Sequence, residues 1–320
     1  MSIKTAEFVS PGHPDKICDF IADSILDAYL AGDKNSRVAV EVMGGHNLVT
    51  INGEVTSKAH PDLEPIIKKI VGDNFKIIIN LSKQSPDIAQ GVDIGGAGDQ
   101  GIMKGYATVE TENMMPKEYE LARNLCMKVY EKYPYDGKTQ VTIKGNKIKT
   151  VVVSFQNTKN ADLLPLVKNI IQADEYLINP AGEWALGSFD ADTGLSGRKI
   201  VIDNYGPEIP IGGGSFSGKD YTKVDRSGAY MARKIAVDLL KKNNANRSLP
   251  AVRQVFVKLA YAIGKAEPVM AVAILDEKKI PIEGYDLTPK GIKKMLNLEN
   301  VKFAETAKWG HFGRGFIWDK

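Results

Sequence analysis

The sequence predicts an α+β protein built from three structurally similar units in a pseudo-threefold arrangement. The order helix, β-hairpin, helix recurs after about 100 residues, and a third copy of the long helix and strand pair follows near residue 224. The short helices of the first two copies also read alike, DLEPIIKKI at 62–70 against DLLPLVKNII at 162–171. Each unit is then a sheet with helices on one face. Its other face needs a second sheet, within the chain or from a partner, so the sheets are expected to pack inward and at a dimer interface.

The elements follow in order. Residues 4–9 read as a strand. Residues 14–30 place Ile17, Phe20, Ile21, Ile25 and Leu26 on one helical face, with Pro14 suited to the first turn. Residues 37–42 and 47–55 are β-rich and flank Gly44-Gly45, which predicts a hairpin. A helix at 62–71 and an apolar strand at 75–81 complete the first copy. The second has a helix at 116–133, strands at 139–144 and 147–155 around Gly145-Asn146, and a helix at 162–171. The third has a helix at 224–241, strands at 252–261 and 269–275, and a helix at 288–296. These copies set expected boundaries at 1–92, 93–186 and 187–320.

With 320 residues, each copy is long enough to bury a core. A formal net charge of +3 does not point to nucleic acid, although local basic clusters can still hold phosphate. No run of about 18 apolar residues suggests a membrane span, and the N-terminus leads into no signal-peptide core. Cys18 and Cys126 fall in helical apolar patterns and read as small buried hydrophobes. The expected setting is the cytoplasm.

Three glycine-rich polar segments stand out: Gly12 to Lys16, Gly95 to Gly101, and Gly212 to Asp220. The first and third lie at or before long helices, whose N-termini favour phosphate. Gly213 to Lys219 satisfies G-x-x-x-x-G-K, but Asp220 stands where a P-loop needs Ser or Thr and no clean strand precedes it. A phosphate-binding loop using backbone N–H groups and Lys219 remains the reading. Gly96 to Gly101 satisfies the dinucleotide pattern G-x-G-x-x-G, without the preceding buried strand or following helix that pattern requires. His13-Pro14-Asp15 occurs in J-domain adaptors, but the basic helix that precedes it there is missing. A small-molecule kinase would use similar carboxylates and lysines and would make ADP.

Together GHPDK (12–16), KQSPDI (83–88), GAGDQG (96–101), GLSGRK (194–199), GGGSFSGKD (212–220), KVDRS (223–227), YAIGKAEP (261–268) and GHFGR (310–314) resemble the methionine adenosyltransferase, or S-adenosylmethionine synthetase, family in motif and order. The resemblance spans nearly the whole chain. It implies synthesis of S-adenosylmethionine: the methionine sulfur attacks C5′ of ATP, and the displaced triphosphate is hydrolysed to phosphate and diphosphate. It implies Mg2+, in two ions, and K+ as cofactors. By the resemblance, Asp15 and Asp225 bind Mg2+, and Glu41 lies near K+. His13 stands at the leaving oxygen. Lys16, Lys138, Arg198, Lys199, Lys219 and Lys223 surround phosphates and substrate. Glu7, Asp99, Asp192 and Trp184 belong to the nucleotide side. Glu54, Gln84, Asp87, Asp192 and Lys223 belong to the methionine side. The resemblance also implies a homodimer with shared active sites, with a tetramer left open.

The chain departs from the family pattern in several places. Only Ile94 and Gly95 separate Gly91-Val92-Asp93 from Gly96-Ala97-Gly98, so a gating loop is expected to be short. Ser188-Phe189-Asp190 replaces a Gly-Pro-rich stretch beside the adenine side. Pro11 and Ile211 replace commoner polar residues.

Overall fold

The computed structural model describes residues 2–83, 95–245 and 251–320. Every helix and strand expected above is present. In chain order the elements are β1 (Ile3–Val9), α1 (Pro14–Gly32), β2 (Arg37–Gly45), β3 (Leu48–Thr56), α2 (Leu63–Val71), β4 (Lys76–Ser82), β5 (Gly101–Thr108), α3 (Lys117–Lys132), β6 (Gly137–Lys144) and β7 (Lys147–Phe155). They continue with α4 (Asn160–Ile170), β8 (Glu175–Ile178), β9 (Gly194–Leu195), α5 (Ile200–Asp203), α6 (Val224–Ala245), β10 (Gln254–Tyr261), β11 (Met270–Leu275), β12 (Lys278–Pro281), α7 (Pro289–Met295) and α8 (Phe303–Thr306). Strands β5, β8, β9 and β12 are additions to the elements expected from the sequence.

Three four-stranded sheets form, ordered β4-β3-β2-β9, β1-β6-β7-β8 and β12-β11-β10-β5. Each takes three strands from one copy and one from elsewhere. The borrowed strand is the one preceding a long helix: β1 precedes α1 but pairs with β6, from Ile3 opposite Lys144 to Val9 opposite Lys138. Likewise β5 precedes α3 but pairs with β10, and β9 precedes α6 but pairs with β2. Each copy thus completes the sheet of another, and all three share one apolar core. β3–β4 and β7–β8 run parallel, each crossing over through a helix, α2 or α4.

The inner face of each sheet packs on a long helix. At Gly105 of β5 a Cβ would strike the backbone of Ala232, so α6 lies directly on that strand. The C-terminal segment threads between the three helices. Asp27 of α1 accepts the N–H groups of Phe303 and Ala304, Arg123 of α3 donates to the carbonyls of Phe312 and Gly313, and Tyr230 of α6 stacks on Trp318 at 3.8 Å.

The first hairpin turns two residues later than the sequence suggested. β2 runs through Gly44 and Gly45, and His46-Asn47 form the turn with φ of 51° and 61°. Asn tolerates the left-handed region well, and two such residues give the turn twist a hairpin needs. Gly44 serves instead for packing: a Cβ there would lie 2.5 Å from the Phe189 ring. Cys18 and Cys126 are both free and buried. Among the described residues no helix is long and apolar enough to cross a membrane.

Candidate active site

The N-terminus of α1 anchors the site. His13 is its N-cap, and its Nδ1 accepts the Asp15 N–H at 3.1 Å. A neutral ring accepting at Nδ1 carries its proton on Nε2, so His13 presents a donor. Burial lowers its pKa to about 3, with Lys199 and Lys138 adding to the effect. The side chain is therefore uncharged near neutral pH.

Asp15 is fully buried. It accepts the Leu195 N–H at 2.9 Å and the Lys199 ammonium at 2.5 Å, with the Arg198 guanidinium 3.4 Å away. Burial alone would raise its pKa, but Lys199 and the Leu195 N–H outweigh burial and hold it below the usual value. Residues 194–199 form a strap over this helix end. Ser196 exchanges hydrogen bonds with the Val42 backbone and donates to Glu41 at 2.5 Å. Gly197 donates its N–H to Asp19 at 2.8 Å. Burial raises the Glu41 pKa.

A second group lies at the start of α6. Lys219 reaches Asp225 at 2.7 Å, and its backbone bridges to Ala39 of β2. Gly214 gives Asp225 its place, because a Cβ there would overlap the carboxylate. Asp220 is buried. It accepts the Val38 N–H at 2.8 Å and Lys223 at 2.9 Å, so it is a structural anchor of the loop. The loop reaches α6 only at residue 224, unlike a P-loop, whose lysine sits at the helix start. The 96–101 segment runs straight into β5, with no helix behind it.

The remaining candidates fall in several places. Lys138, opposite Val9 on one side and Ser154 on the other, is exposed on the outer face of its sheet. Glu7 is exposed two residues along β1, opposite Gln140. Trp184 lies over the same face and donates its indole N–H to Ser154 at 3.1 Å. Asp192 is exposed, close enough to His13 to act on its charge. Asp99 is exposed near β5, its carboxylate turned back to the Gln100 N–H. Glu54 stands opposite Ala39, beside the Lys219 bridge. Gln84, Asp87 and the short segment before Gly95 lie outside the described residues.

Lys16 sits apart from the open site. Its ammonium is buried between Asp19 at 2.9 Å and Asp203 at 2.5 Å. Burial disfavours its charge, but the two carboxylates prevail and hold its pKa above the usual value. Burial pushes Asp203 up to about 7, despite Lys16. Asp19, Asp23 and Asp203 are not among the candidates the sequence singles out, while Ser196 and Gly214 lie in motifs that it does, without a role of their own. The visible signal for the first two is an aspartate every fourth residue along α1.

Asp15 and Asp225 are single carboxylates, each already holding a lysine. Among the described residues no three His, Cys, Asp or Glu side chains converge on one metal position. Such isolated hard ligands fit a divalent ion that shares its shell with substrate phosphates.

Lysines, an arginine, single carboxylates and a neutral histidine donor around one helix end define an enzyme that handles polyphosphate. The S-adenosylmethionine synthetase N-terminal, central and C-terminal domain models match residues 1–86, 94–184 and 186–320. The chain belongs to the S-adenosylmethionine synthetase family. An S-adenosylmethionine synthase of Thermus thermophilus is 39% identical over 386 aligned positions, covering 100% of this chain and 96% of the relative. The Mycoplasmopsis synoviae synthase is 40% identical, covering 98% and 94%. A solved structure described as an unusual S-adenosylmethionine synthetase from Campylobacter jejuni superposes with a TM-score of 0.87 at 33% identity, covering 100% and 97%. The 386 aligned positions exceed the chain's 320 residues, so the Thermus relative carries segments that this chain lacks. The activity is methionine adenosyltransfer: ATP and methionine give S-adenosylmethionine, and the triphosphate is hydrolysed to phosphate and diphosphate. The family uses a divalent metal and a monovalent cation.

Proposed function

We propose that the site around His13 performs this reaction with Mg2+ and K+, in the cytoplasm, as a homodimer. The observation that carries the proposal is the neutral His13, its Nε2–H donor held by the Asp15 N–H among Lys138, Arg198 and Lys199. A thioether sulfur has no proton to lose at neutral pH, so attack on C5′ needs alignment rather than a base. The larger demand is charge developing on the leaving oxygen of the triphosphate. His13 donates to that oxygen, and Lys138, Arg198, Lys199, Lys219 and Lys223 hold the chain of phosphates. Such donors are preorganised because Asp15 and Asp225 fix two of the lysines before substrate arrives.

Asp15 and Asp225 would hold Mg2+, which supplies further neutralisation of the leaving group when bound. Glu41, tied to Ser196, would serve the monovalent cation. Trp184, Glu7, Asp99 and Asp192 take the nucleotide side; Asp192 also serves the methionine side with Glu54, Lys223, Gln84 and Asp87. Lys16 acts one layer behind, through Asp19 and Asp203.

The dimer is supported by the outer sheet faces. Leu195, Met43, Thr50 and Ile78 form one row across the first sheet, and Ile102, Ala260 and Met270 one row across the third. Met43, Ile78, Ile102, Leu195 and Met270 are each exposed by about 40% or more of their surface. Glu41 and Glu54 share the first of these strands' hairpin, so a second copy there would border the site.

A Mg2+ titration of S-adenosylmethionine formation tests the assignment. Asp15→Asn and Asp225→Asn should each raise the half-activating concentration about tenfold or more. An unchanged titration in both variants would remove these residues from the metal's shell.

A further inference from the structure

Helix α1 carries aspartates at 15, 19, 23 and 27, one every fourth residue and about 6 Å apart along the axis. Like charges at this spacing disfavour a helix, and Asp15, Asp19 and Asp23 are fully buried, which adds a desolvation cost. Helix stability therefore does not explain the stripe. Its partners do. Each carboxylate catches a backbone N–H from the C-terminal part of the chain, in order along the helix: Leu195 on Asp15, Gly197 on Asp19, Gly218 on Asp23, and Phe303 with Ala304 on Asp27.

The second and third catches hold segments that carry reacting groups. Gly197 lies between Ser196, which binds Glu41, and Arg198-Lys199, which meet Asp15. Gly218 precedes Lys219. Asp23 also takes both ends of the Arg226 guanidinium, at 2.6 and 2.8 Å, and Arg226 in turn donates to the Lys219 carbonyl. Gly197 and Gly218 have φ of 76° and 78°, and a Cβ would strike Ser215 at the first and the Val40 carbonyl at the second. Both loops are thus left-handed and tightly seated at the residue each aspartate grips. Asp27 makes the same kind of catch on a segment that carries none of these groups.

We propose that Asp19 and Asp23 are positioning residues: spaced by one helix, they fix where the Arg198-Lys199 strap and the Lys219-Asp225 group stand relative to His13. The proposal rests on the roles given above for those groups. The stripe works as a ruler, since the α-helix sets the separation and each carboxylate transfers it to one loop.

The test compares Asp19→Asn, Asp23→Asn and Asp27→Asn, each assayed well below its own melting temperature. Asparagine retains an oxygen for the N–H but loses the charge. Asp19→Asn and Asp23→Asn should lower kcat about ten- to a hundredfold, the scale of misalignment below 1 Å, while KM for methionine stays within about twofold. Asp27→Asn should lower the melting temperature and leave kcat within about twofold. Should Asp23→Asn fail to fold because it strands Arg226, the double variant Asp23→Asn/Arg226→Met removes both charges and takes its place. Equal kcat in all three variants, or equal loss in all three, would overturn the proposal. Wild-type protein that forms S-adenosylmethionine alongside unaffected variants would leave the function standing and sink only the ruler.

Discussion

The capping role of His13 and the donor role proposed for it are separable, and one substitution pair divides them. Its Nδ1 caps α1 through the Asp15 N–H, and its Nε2–H is the donor proposed for the leaving oxygen. His13→Asn keeps a cap acceptor, since Asn is among the best N-cap residues, but withdraws the donor. His13→Ala removes both. Loss of a cap costs about 0.5–2 kcal/mol, which for a chain of this size lowers Tm by a few degrees. Loss of one preorganised donor to a leaving oxygen costs about a hundred- to a thousandfold in kcat. His13→Asn should therefore melt within about 0.5 kcal/mol of wild type yet lose that factor in kcat. His13→Ala should lose a similar factor and also melt earlier. Calorimetry and initial-rate measurement of S-adenosylmethionine read the two effects independently. Because His13 is uncharged in the free site above about pH 3, kcat/KM should show no limb near 6.5 that disappears in His13→Asn. The two roles are refuted if His13→Asn retains kcat within about twofold, or if its Tm falls as far as that of His13→Ala.

Other outcomes follow from the same geometry. Gly214→Ala puts a Cβ on the Asp225 carboxylate, so it should fold but require more Mg2+ for half-maximal activity. Among the described residues Lys199→Met leaves buried Asp15 with only the exposed Arg198 as cationic partner, so KM for ATP should rise and kcat fall; an unchanged KM would place Lys199 outside the phosphate site. Burial holds His13 and His311 below the ordinary value of 6.5, whereas the unfolded chain takes up a proton on each as pH falls through that value. Their contribution to stability is thus kept above pH 6.5 and lost below it, by about 1.4 kcal/mol per pH unit and group, which urea melts from pH 7 to 5 would measure. On the proposed dimer, Met43→Arg and Ile102→Arg should leave a monomer in light scattering and remove activity together; a fully active monomer would contradict the proposed shared site.

Much of the fold was legible because periodicity and turn chemistry are local. The helix pattern at 14–30 and the hairpins at 37–55 and 139–155 need only their own residues to declare themselves. Short strands carry no such period. β9 is two residues long, and it exists because Met43 and Gly44 offer it an edge. The first hairpin turn lies two residues from its expected place for a related reason. Glycine in sequence reads as a turn residue, whereas Gly44 is small to admit Phe189, a contact nearly 150 residues distant along the chain.

The sequence by itself determined the three-copy α+β plan and the family, because motifs are contiguous, and it supplied the residues proposed to hold phosphate and metal, because side-chain chemistry is fixed by residue type. Which lysines face the site was a tertiary matter. Lys16 and Lys199 look equivalent in their motifs, yet Lys16 is enclosed by Asp19 and Asp203 while Lys199 remains at the helix mouth on Asp15. The exchange of β1, β5 and β9 between sheets was likewise decided only in three dimensions. A strand can pair with any open edge of matching length, and which edge lies near depends on how all three helices pack around the C-terminal segment.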